Sequence, residues 1–375
     1  MTQRKRWIVL GCIVALLAAA GAVGGFFLGK SVETARYQEE KDLSVRLNRA
    51  ELEGLGEIEG TIYVTGHKTP DADSICGSIA YASLLDQLGY DAVPVVLGGV
   101  NSETAYILEA AEVDPPMLLE DASGLNIILI DHCDYSQSVE GLEDANILSI
   151  IDHHGDGTVT TGNPIVYDAR PVGSTSTVIL MRYRNYGIEI DRQTACLMMG
   201  AILSDTSHFK SSTTTSADHE AVRILSAIAG ITDTEEFYRG MYKASLSYEG
   251  MSEEEIYFSD YKEYEAGGKR YSIACINVYD DESAVAMAER MKAILPGTVV
   301  STGMELAFVQ ISILHDDLSI TYLVPSDEAA DEIIKTAYGD RAVFDGTSYR
   351  LEPGISRKKE LVPAITDLLE SYPKE

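Results

Sequence analysis

Basic residues and paired cysteines are both scarce in this chain of 375 residues. Its 29 lysines and arginines stand against 59 aspartates and glutamates, which gives a formal net charge of −30. A nucleic-acid-binding surface needs a clustered basic footprint, so we expect no nucleic-acid partner. The five cysteines form no C-x-x-C pair and no zinc-finger spacing, so we expect neither a disulfide framework nor a structural zinc site. The acidity does not exclude a phosphate substrate, because bound divalent cations can invert the local field.

Charged residues are absent from one long stretch near the N-terminus. Residues 7–28 carry no charge, follow Arg4-Lys5-Arg6, and are followed by Lys30. A helix of this length can cross a hydrocarbon core about 30 Å thick, so we expect a single transmembrane anchor at 7–28. A cleaved signal peptide is the alternative, although the apolar run is long for one. Basic residues flank both ends, which leaves open the side of the membrane on which the domains lie.

The rest of the chain predicts an α/β fold. Short apolar strands alternate with helices from residue 61 onwards, which is typical of a mostly parallel sheet. Residues 31–59 are polar and charged, and we predict a helical stalk or a solvated linker there. The remaining segments are predicted to be a parallel-sheet catalytic domain at 60–246, a polar interdomain linker at 247–256, and a smaller C-terminal α/β domain at 257–375.

Potential metal ligands follow three of the predicted strands. His67, Asp71 and Asp73 come after the strand at 61–65. Asp131 follows the strand at 126–130, and His153 follows the one at 147–151. Ligands of an open α/β sheet bind beyond the carboxyl ends of its strands, so these side chains predict one metal cluster.

A sixth candidate ligand is Asp205, which ends the apolar, helix-like run 198–204. Carboxylates with some imidazole suit a pair of hard or borderline cations such as Mn²⁺. Two such cations can clamp both the attacking and the leaving oxygen of a phosphoryl transfer.

Each candidate also has a structural interpretation. Asp71 and Asp73 could cap the helix that follows them, and Asp131 could cap another. Taken singly, these explanations are as good as the metal site. Taken together, they leave unexplained why acid and imidazole groups cluster at three strand ends, so the metal site is favoured. For Asp218-His219, in a polar context within a predicted helix, we predict a solvated face.

Three consecutive bases stand out near the C-terminus of this acidic chain. Arg357, Lys358 and Lys359 follow Ser356 at the start of the last predicted helix. Cations there oppose the helix dipole, and an anionic ligand would offset that cost. Arginine offers a planar fork for phosphate oxygens and lysine a point charge. We therefore expect Arg357 and Lys358 to bind an anionic substrate, with a solvated charge run as the alternative.

Together these motifs resemble the DHH phosphoesterase superfamily and, within it, the manganese-dependent (family II) inorganic pyrophosphatases. The resemblance covers about residues 60–372. The segments that carry it are 66–76, Ile130-Asp131-His132, Asp152-His153-His154, Pro171 to Thr177, and Ser356-Arg357-Lys358-Lys359.

The resemblance implies hydrolysis of inorganic pyrophosphate to two phosphates by a metal-bridged water, in a cleft between a DHH domain and a C-terminal domain. It implies two Mn²⁺ per site, with Mg²⁺ or Co²⁺ as alternatives and Mg²⁺ accompanying the substrate. A homodimer is left open. The implied roles are one cation on His67 and Asp71, the other on Asp73, His153 and Asp205, a bridge at Asp131, and substrate contacts from His154, Lys210, Arg357 and Lys358.

Three residues depart from the family pattern. Gly250 and Met251 stand where the resemblance implies a substrate-binding lysine, and Arg170 stands where it implies an acid. Losing a cation would weaken binding of a small polyanion. A related DHH hydrolase of short-chain polyphosphate or of a nucleotide is therefore an alternative, and a membrane-bound sensor without turnover is another.

Overall fold

Two compact units make up the part of the chain that the structure describes. The structure is a computed structural model, and it describes residues 33–56, 58–314 and 319–371. The first unit extends to Tyr238, and the second begins at Arg239. Within the described ranges, no helix combines the length and the apolar character needed to cross a bilayer. The anchor predicted at 7–28 lies outside those ranges.

A sheet of six parallel strands forms the centre of the first unit. The strands are β1 (Ile62–Thr65), β2 (Ala92–Val96), β3 (Met117–Leu118), β4 (Asn126–Ile130), β5 (Asn146–Asp152) and β6 (Val166–Ala169). Their order across the sheet is β3-β2-β1-β4-β5-β6. The strand order therefore reverses between β1 and β4, and loops leaving adjacent strands at such a point open a crevice at the carboxyl edge.

Helices α2 and α4 pack directly against strands of this sheet. The helices of this part of the chain are α1 (residues 33–53), α2 (Ala72–Gln87), α3 (Ser102–Ala111), α4 (Thr175–Tyr186), α5 (Arg192–Asp205), α6 (Ser216–Ala229) and α7 (Thr234–Ser245), and the boundary between the two units falls within α7. Most of α1 is exposed, but Leu52 is buried and Arg49 donates a hydrogen bond to the carbonyl of Tyr186. The predicted stalk region thus contains a helix whose end packs against α4.

Strand β4 is apolar from Ile127 to Ile130 because both of its faces are covered. Ile127 and Leu129 lie in one hydrophobic cluster. Ile128 and Ile130 alternate with these residues and face the other side of the sheet, where Ile130 lies against Gly77 of α2. A parallel strand covered on both faces needs apolar residues at every position.

The second unit is a smaller α/β domain with a mixed sheet. Its elements are α8 (Glu253–Ser259), β7 (Tyr261–Ala266), β8 (Lys269–Val278), α9 (Asp281–Thr302), β9 (Leu306–Leu314), β10 (Ser319–Pro325), α10 (Glu328–Tyr338), β11 (Val343–Phe344), β12 (Tyr349–Leu351) and α11 (Val362–Ser371). The strand order is β11-β12-β10-β9-β8-β7, with β8 and β9 parallel and the other pairs antiparallel. The segment predicted as a linker, 247–256, includes the start of α8, which Ser252 and Glu255 cap.

Candidate metal centre

The loop between β1 and α2 is built around a glycine. A Cβ on Gly66 would lie 1.7 Å from Oγ of Ser74, so only glycine fits there. The same hydroxyl oxygen accepts a hydrogen bond of 3.0 Å from the backbone N–H of His67. The close approach of loop and helix therefore fixes the backbone that presents His67.

Asp71 serves both as a helix cap and as a candidate ligand. Its Oδ1 accepts from the backbone N–H of Ser74 at 2.9 Å, which caps α2. Its Oδ2 lies 3.5 Å from Nε2 of His67. The capping interpretation of Asp71 is thus confirmed for one oxygen, and the other oxygen lies beside His67 as a candidate metal ligand.

Asp73 is fully buried, and it is held by the N-terminus of α4. Its Oδ2 accepts from the backbone N–H of Thr175 at 2.5 Å. Its Oδ1 accepts from the backbone N–H and the hydroxyl of Ser176, at 3.0 and 2.6 Å. The positive end of a helix stabilises a carboxylate, so these donors compensate for its burial.

Asp131 occupies a special backbone position directly after β4. Its φ is 66°, in the left-handed region, which aspartate tolerates better than most residues. Its N–H donates to the carbonyl of Ile151, and only 1% of the residue is exposed. One carboxylate oxygen lies 3.5 Å from Nε2 of His67, and the other lies 3.4 Å from Nε2 of His153. The single carboxylate therefore faces two imidazoles.

His153 is oriented as metal-binding histidines usually are. Its Nδ1 donates a hydrogen bond of 3.1 Å to the carbonyl of Val172. That bond turns Nε2 towards Asp131 and towards Asp205, whose Oδ2 is 3.7 Å away. A backbone acceptor on one ring nitrogen fixes the tautomer and leaves the other nitrogen for a metal.

The six predicted ligands form two overlapping groups. His67, Asp71 and Asp131 make one, and the other joins Asp131 to Asp73, His153 and Asp205. Within each group the ligand atoms lie within 4.8 Å of one another. A third grouping places His154 with Asp131 and His153. Four carboxylates and two imidazoles with one shared carboxylate fit a pair of hard or borderline divalent cations.

The same proximity shifts the proton affinities of the ligands. Burial alone would lower the pKa of His67, but hydrogen bonds to Asp131 and Asp71 outweigh it and raise that pKa to about 10. The pKa of His153 is raised to about 9, since Asp131 and Asp73 likewise outweigh burial. Burial and the negative charge of Asp73 raise the pKa of Asp205. Without a cation, the cluster therefore holds protons where the metal would bind.

His154 borders the cavity next to these ligands. The cavity has a volume of about 280 Å³ and is also lined by His67, Asp71 and Asp131. Nδ1 of His154 lies 2.9 Å from Oδ1 of Asp152, and this hydrogen bond raises the pKa of the histidine. The half-exposed imidazole is thus biased towards its cationic form, which favours an anion in the cavity.

The predicted cationic contacts lie on other segments. Lys210 is exposed and follows three successive residues with left-handed backbone, Ser207 to Phe209. Arg357 belongs to the second unit and donates to the backbone carbonyl and to Oδ1 of Asp260, at 3.0 and 2.8 Å. Its neighbour Lys358 is exposed.

The solvated face predicted for Asp218-His219 is wrong for the aspartate. His219 is exposed, with its ring stacked on Phe209 at 4.0 Å between centroids. Asp218 is fully buried and accepts hydrogen bonds from Gly173, Thr177 and Thr215. These partners are distant in sequence, and only the polar residue types at 173–177 could have pointed to them.

Comparisons with known proteins agree with this architecture. The model of the DHH family N-terminal domain matches residues 61–202, and that of the DHHA2 domain matches residues 239–368. Fold and site together define a DHH protein with a DHHA2 domain. The chain belongs to the manganese-dependent, family II inorganic pyrophosphatases, as its relatives show.

The relatives align with nearly their whole length. The manganese-dependent inorganic pyrophosphatase of Methanothrix thermoacetophila is 37% identical over 305 residues, 81% of this chain and 97% of that protein. The Bacillus subtilis enzyme of the same name is 34% identical over 310 residues, 82% and 98% of the two chains. A Methanococcus jannaschii crystal structure assigned to the family II inorganic pyrophosphatases superposes with a TM-score of 0.50 at 35% identity, over 83% of this chain and 100% of that one.

Proposed function

We propose that this protein hydrolyses inorganic pyrophosphate to two phosphates with two Mn²⁺. The observation that carries the proposal is the position of Asp131, whose two oxygens face the two ligand groups. A shared carboxylate keeps two cation positions close together, as in-line displacement at phosphorus requires. The relatives that carry this activity in their names align with most of the described chain.

The residues present fit such a metal pair, since oxygen ligands predominate and imidazole completes the set. Bound Mn²⁺ would supply charge neutralisation and an activated water. His67 and Asp71 would hold one ion, and Asp73, His153 and Asp205 the other, with Asp131 common to both. The hydrogen bonds to Asp73 and His153 orient these ligands before any cation arrives.

The substrate is bound by cationic side chains in this proposal. His154 lines the cavity and is held by Asp152, so its Nε2 is left for a phosphate oxygen. Arg357 is oriented by Asp260, which supports a role in gripping the leaving phosphate. Lys358 and Lys210 also bind phosphate oxygens of the substrate in this proposal. Positioning and charge neutralisation then account for most of the rate enhancement.

The test is phosphate release from pyrophosphate by the full-length chain in a mild detergent with Mn²⁺. We expect turnover that chelators abolish and that Asp131→Asn reduces by about three orders of magnitude or more. The matched control is Asp86→Asn, which changes an exposed aspartate of α2 in the same way. Full activity of Asp131→Asn, or no Mn²⁺-dependent turnover by the unaltered chain, would reject the proposal.

One observation favours a second candidate substrate. Gly250, with φ of 80°, and Met251, 37% exposed, occupy the place where the resemblance implies a lysine. Neither supplies a cation, so a longer polyanion that finds charge elsewhere is the alternative. A panel of pyrophosphate, tripolyphosphate and nucleotides decides between them. Faster turnover of tripolyphosphate or a nucleotide than of pyrophosphate would favour the alternative.

We further propose that residues 7–28 tether the enzyme to a membrane. The support is the uncharged run itself, which lies outside the described part of the chain. The expected result is recovery of the full-length chain with membranes after alkaline carbonate extraction. Its loss from membranes together with a shortened N-terminus would favour a cleaved signal peptide. Protease digestion of intact and opened vesicles would then give the side on which the domains lie.

A further inference from the structure

Asp218 is a buried carboxylate in the first turn of α6, and it is not one of the six candidate ligands. Its Oδ2 accepts hydrogen bonds from the backbone N–H of Gly173 at 2.9 Å and from the backbone N–H and hydroxyl of Thr215, both at 2.7 Å. Its Oδ1 accepts from the hydroxyl of Thr177 at 2.7 Å. Four donors on a residue with no exposed surface make a fully satisfied polar group.

A helix cap explains only part of this arrangement. The bonds to Thr215 cap α6, because they join residues three apart at its start. The bonds to Gly173 and Thr177 instead span 45 and 41 residues. A Cβ on Gly173 would lie 2.6 Å from Cγ2 of Thr206 and 2.9 Å from Oδ2 of Asp218, so glycine permits this close approach.

The segment that Asp218 holds is the one that contacts the metal cluster. Between its two anchored residues lie Thr175 and Ser176, whose backbone N–H groups donate to Asp73. The hydroxyl of Thr175 also donates to Oδ1 of Asp131, at 2.9 Å. One carboxylate therefore fixes both ends of the turn that orients a ligand of one group and the shared ligand of both groups.

We propose that Asp218 is a positioning residue for the metal centre. It holds residues 173–177 so that their donors fix the carboxylates of Asp73 and Asp131 in the orientation that binds metal. This inference rests on the proposed function, since it assigns Asp218 to the same site. Removing partners of this kind behind metal ligands commonly lowers metal affinity by 10- to 100-fold.

Mn²⁺ binding tests the proposal without reference to turnover. Electron paramagnetic resonance reports free Mn²⁺ during a titration of the full-length chain. Asp218→Ala removes all four bonds, and we expect about tenfold weaker Mn²⁺ binding. Asp218→Asn keeps an oxygen for Gly173 and Thr215 and can donate its amide to the hydroxyl of Thr177. We therefore expect Asn to restore most of the affinity, which a role based on charge alone would not allow.

Thr215→Ala is the matched control, because it removes a capping bond of α6 and leaves the bonds to Gly173 and Thr177. It should lower the melting temperature and leave Mn²⁺ affinity within about twofold of the unaltered chain. Equal Mn²⁺ affinities of Thr215→Ala and Asp218→Ala would overturn the proposal, because Asp218 would then be only a cap.

Thr177→Val decides the matter if Asp218→Ala does not fold. It replaces one buried hydroxyl with a methyl group and removes only the bond to Oδ1. Weaker Mn²⁺ binding with retained helical circular dichroism would support the proposal, and unchanged binding would overturn it. Failure of the proposed function is a separate outcome: the unaltered chain would bind Mn²⁺ and leave pyrophosphate intact, whatever the variants show.

Discussion

Nε2 of His153 lies 3.4 Å from Oδ1 of Asp131, at the junction of the two ligand groups. The backbone carbonyl of Val172 accepts a hydrogen bond from Nδ1–H of the same ring. In the metal-free protein the second ring nitrogen therefore carries a proton that the carboxylate stabilises. This contact links metal binding to pH.

Metal binding should release protons. The pKa values of His67 and His153 are raised to about 10 and about 9, whereas a ligating imidazole must be neutral. At pH 7.5 we expect release of up to about two protons per chain on Mn²⁺ saturation, and an affinity that rises with pH up to about pH 9 to 10. Calorimetry in buffers of different ionisation enthalpy measures this release. A binding enthalpy independent of the buffer would contradict it.

The same shifts predict the stability of the metal-free protein. A histidine with a raised folded-state pKa stabilises the fold fully below its unfolded value of about 6.5, and this contribution is lost as pH rises through the folded value. With chelator present, the melting temperature should fall between pH 7 and pH 10. Saturating Mn²⁺ should remove much of this dependence, because the cation takes the place of the protons. If the melting temperature fell equally steeply with pH with and without Mn²⁺, His67 and His153 would not be metal ligands.

Gly66→Ala should damage both the fold and the site. Its Cβ would overlap the hydroxyl of Ser74, so loop and helix must separate and the backbone of His67 must move. We expect a loss of about 1–3 kcal/mol in the free energy of unfolding and weaker Mn²⁺ binding. Gly99→Ala is the control, since its Cβ would meet no atom within 4 Å. Similar Mn²⁺ affinities for the two variants would show that the close contact is unimportant.

Glu51→Gln should loosen helix α1 from helix α4. Oε1 of Glu51 accepts hydrogen bonds from the buried guanidinium of Arg182 and from the hydroxyl of Tyr186, each at 2.5 Å. Arg182 forms salt bridges with Glu51 and Asp168. Loss of the charge on Glu51 leaves it the salt bridge with Asp168. We expect faster amide hydrogen exchange in residues 45–53, by about tenfold. Glu53→Gln, an exposed change on the same helix, should exchange like the unaltered chain.

Lys358→Ala should impair substrate binding and leave the metal centre intact. The lysine is exposed and lies in the second unit, whereas all six candidate metal ligands lie in the first. We expect a rise in KM for pyrophosphate of about tenfold and unchanged Mn²⁺ affinity. Lys359→Ala, one residue further on, is the control. Equal KM values for the two variants would remove Lys358 from the substrate site.

The strands that carry the ligands were predictable because both faces of the sheet are covered. Ile127 to Ile130 form an unbroken apolar run, and the polar residue that ends it is Asp131. The edge strands β3 and β6 were not predicted. Both strands are short and carry exposed side chains such as Met117 and Tyr167. They therefore lack the unbroken apolar run of a strand that is covered on both faces.

The positioning interactions could not be predicted from local pattern. Asp218 was interpreted as solvated because its neighbours in sequence are polar, yet its partners at Gly173 and Thr177 are brought to it by the packing of α4 and α6. The length of α9 could not be predicted from local pattern either. Proline is disfavoured in a helix interior, yet α9 continues through Pro296 to Thr302.

Counting bound Mn²⁺ measures whether Asp131 serves two cations at once. Equilibrium dialysis with metal analysis should find two Mn²⁺ per unaltered chain. Asp71→Asn, which changes one group only, should lose one ion, whereas Asp131→Asn should lose both. Retention of two ions by Asp131→Asn would contradict the account.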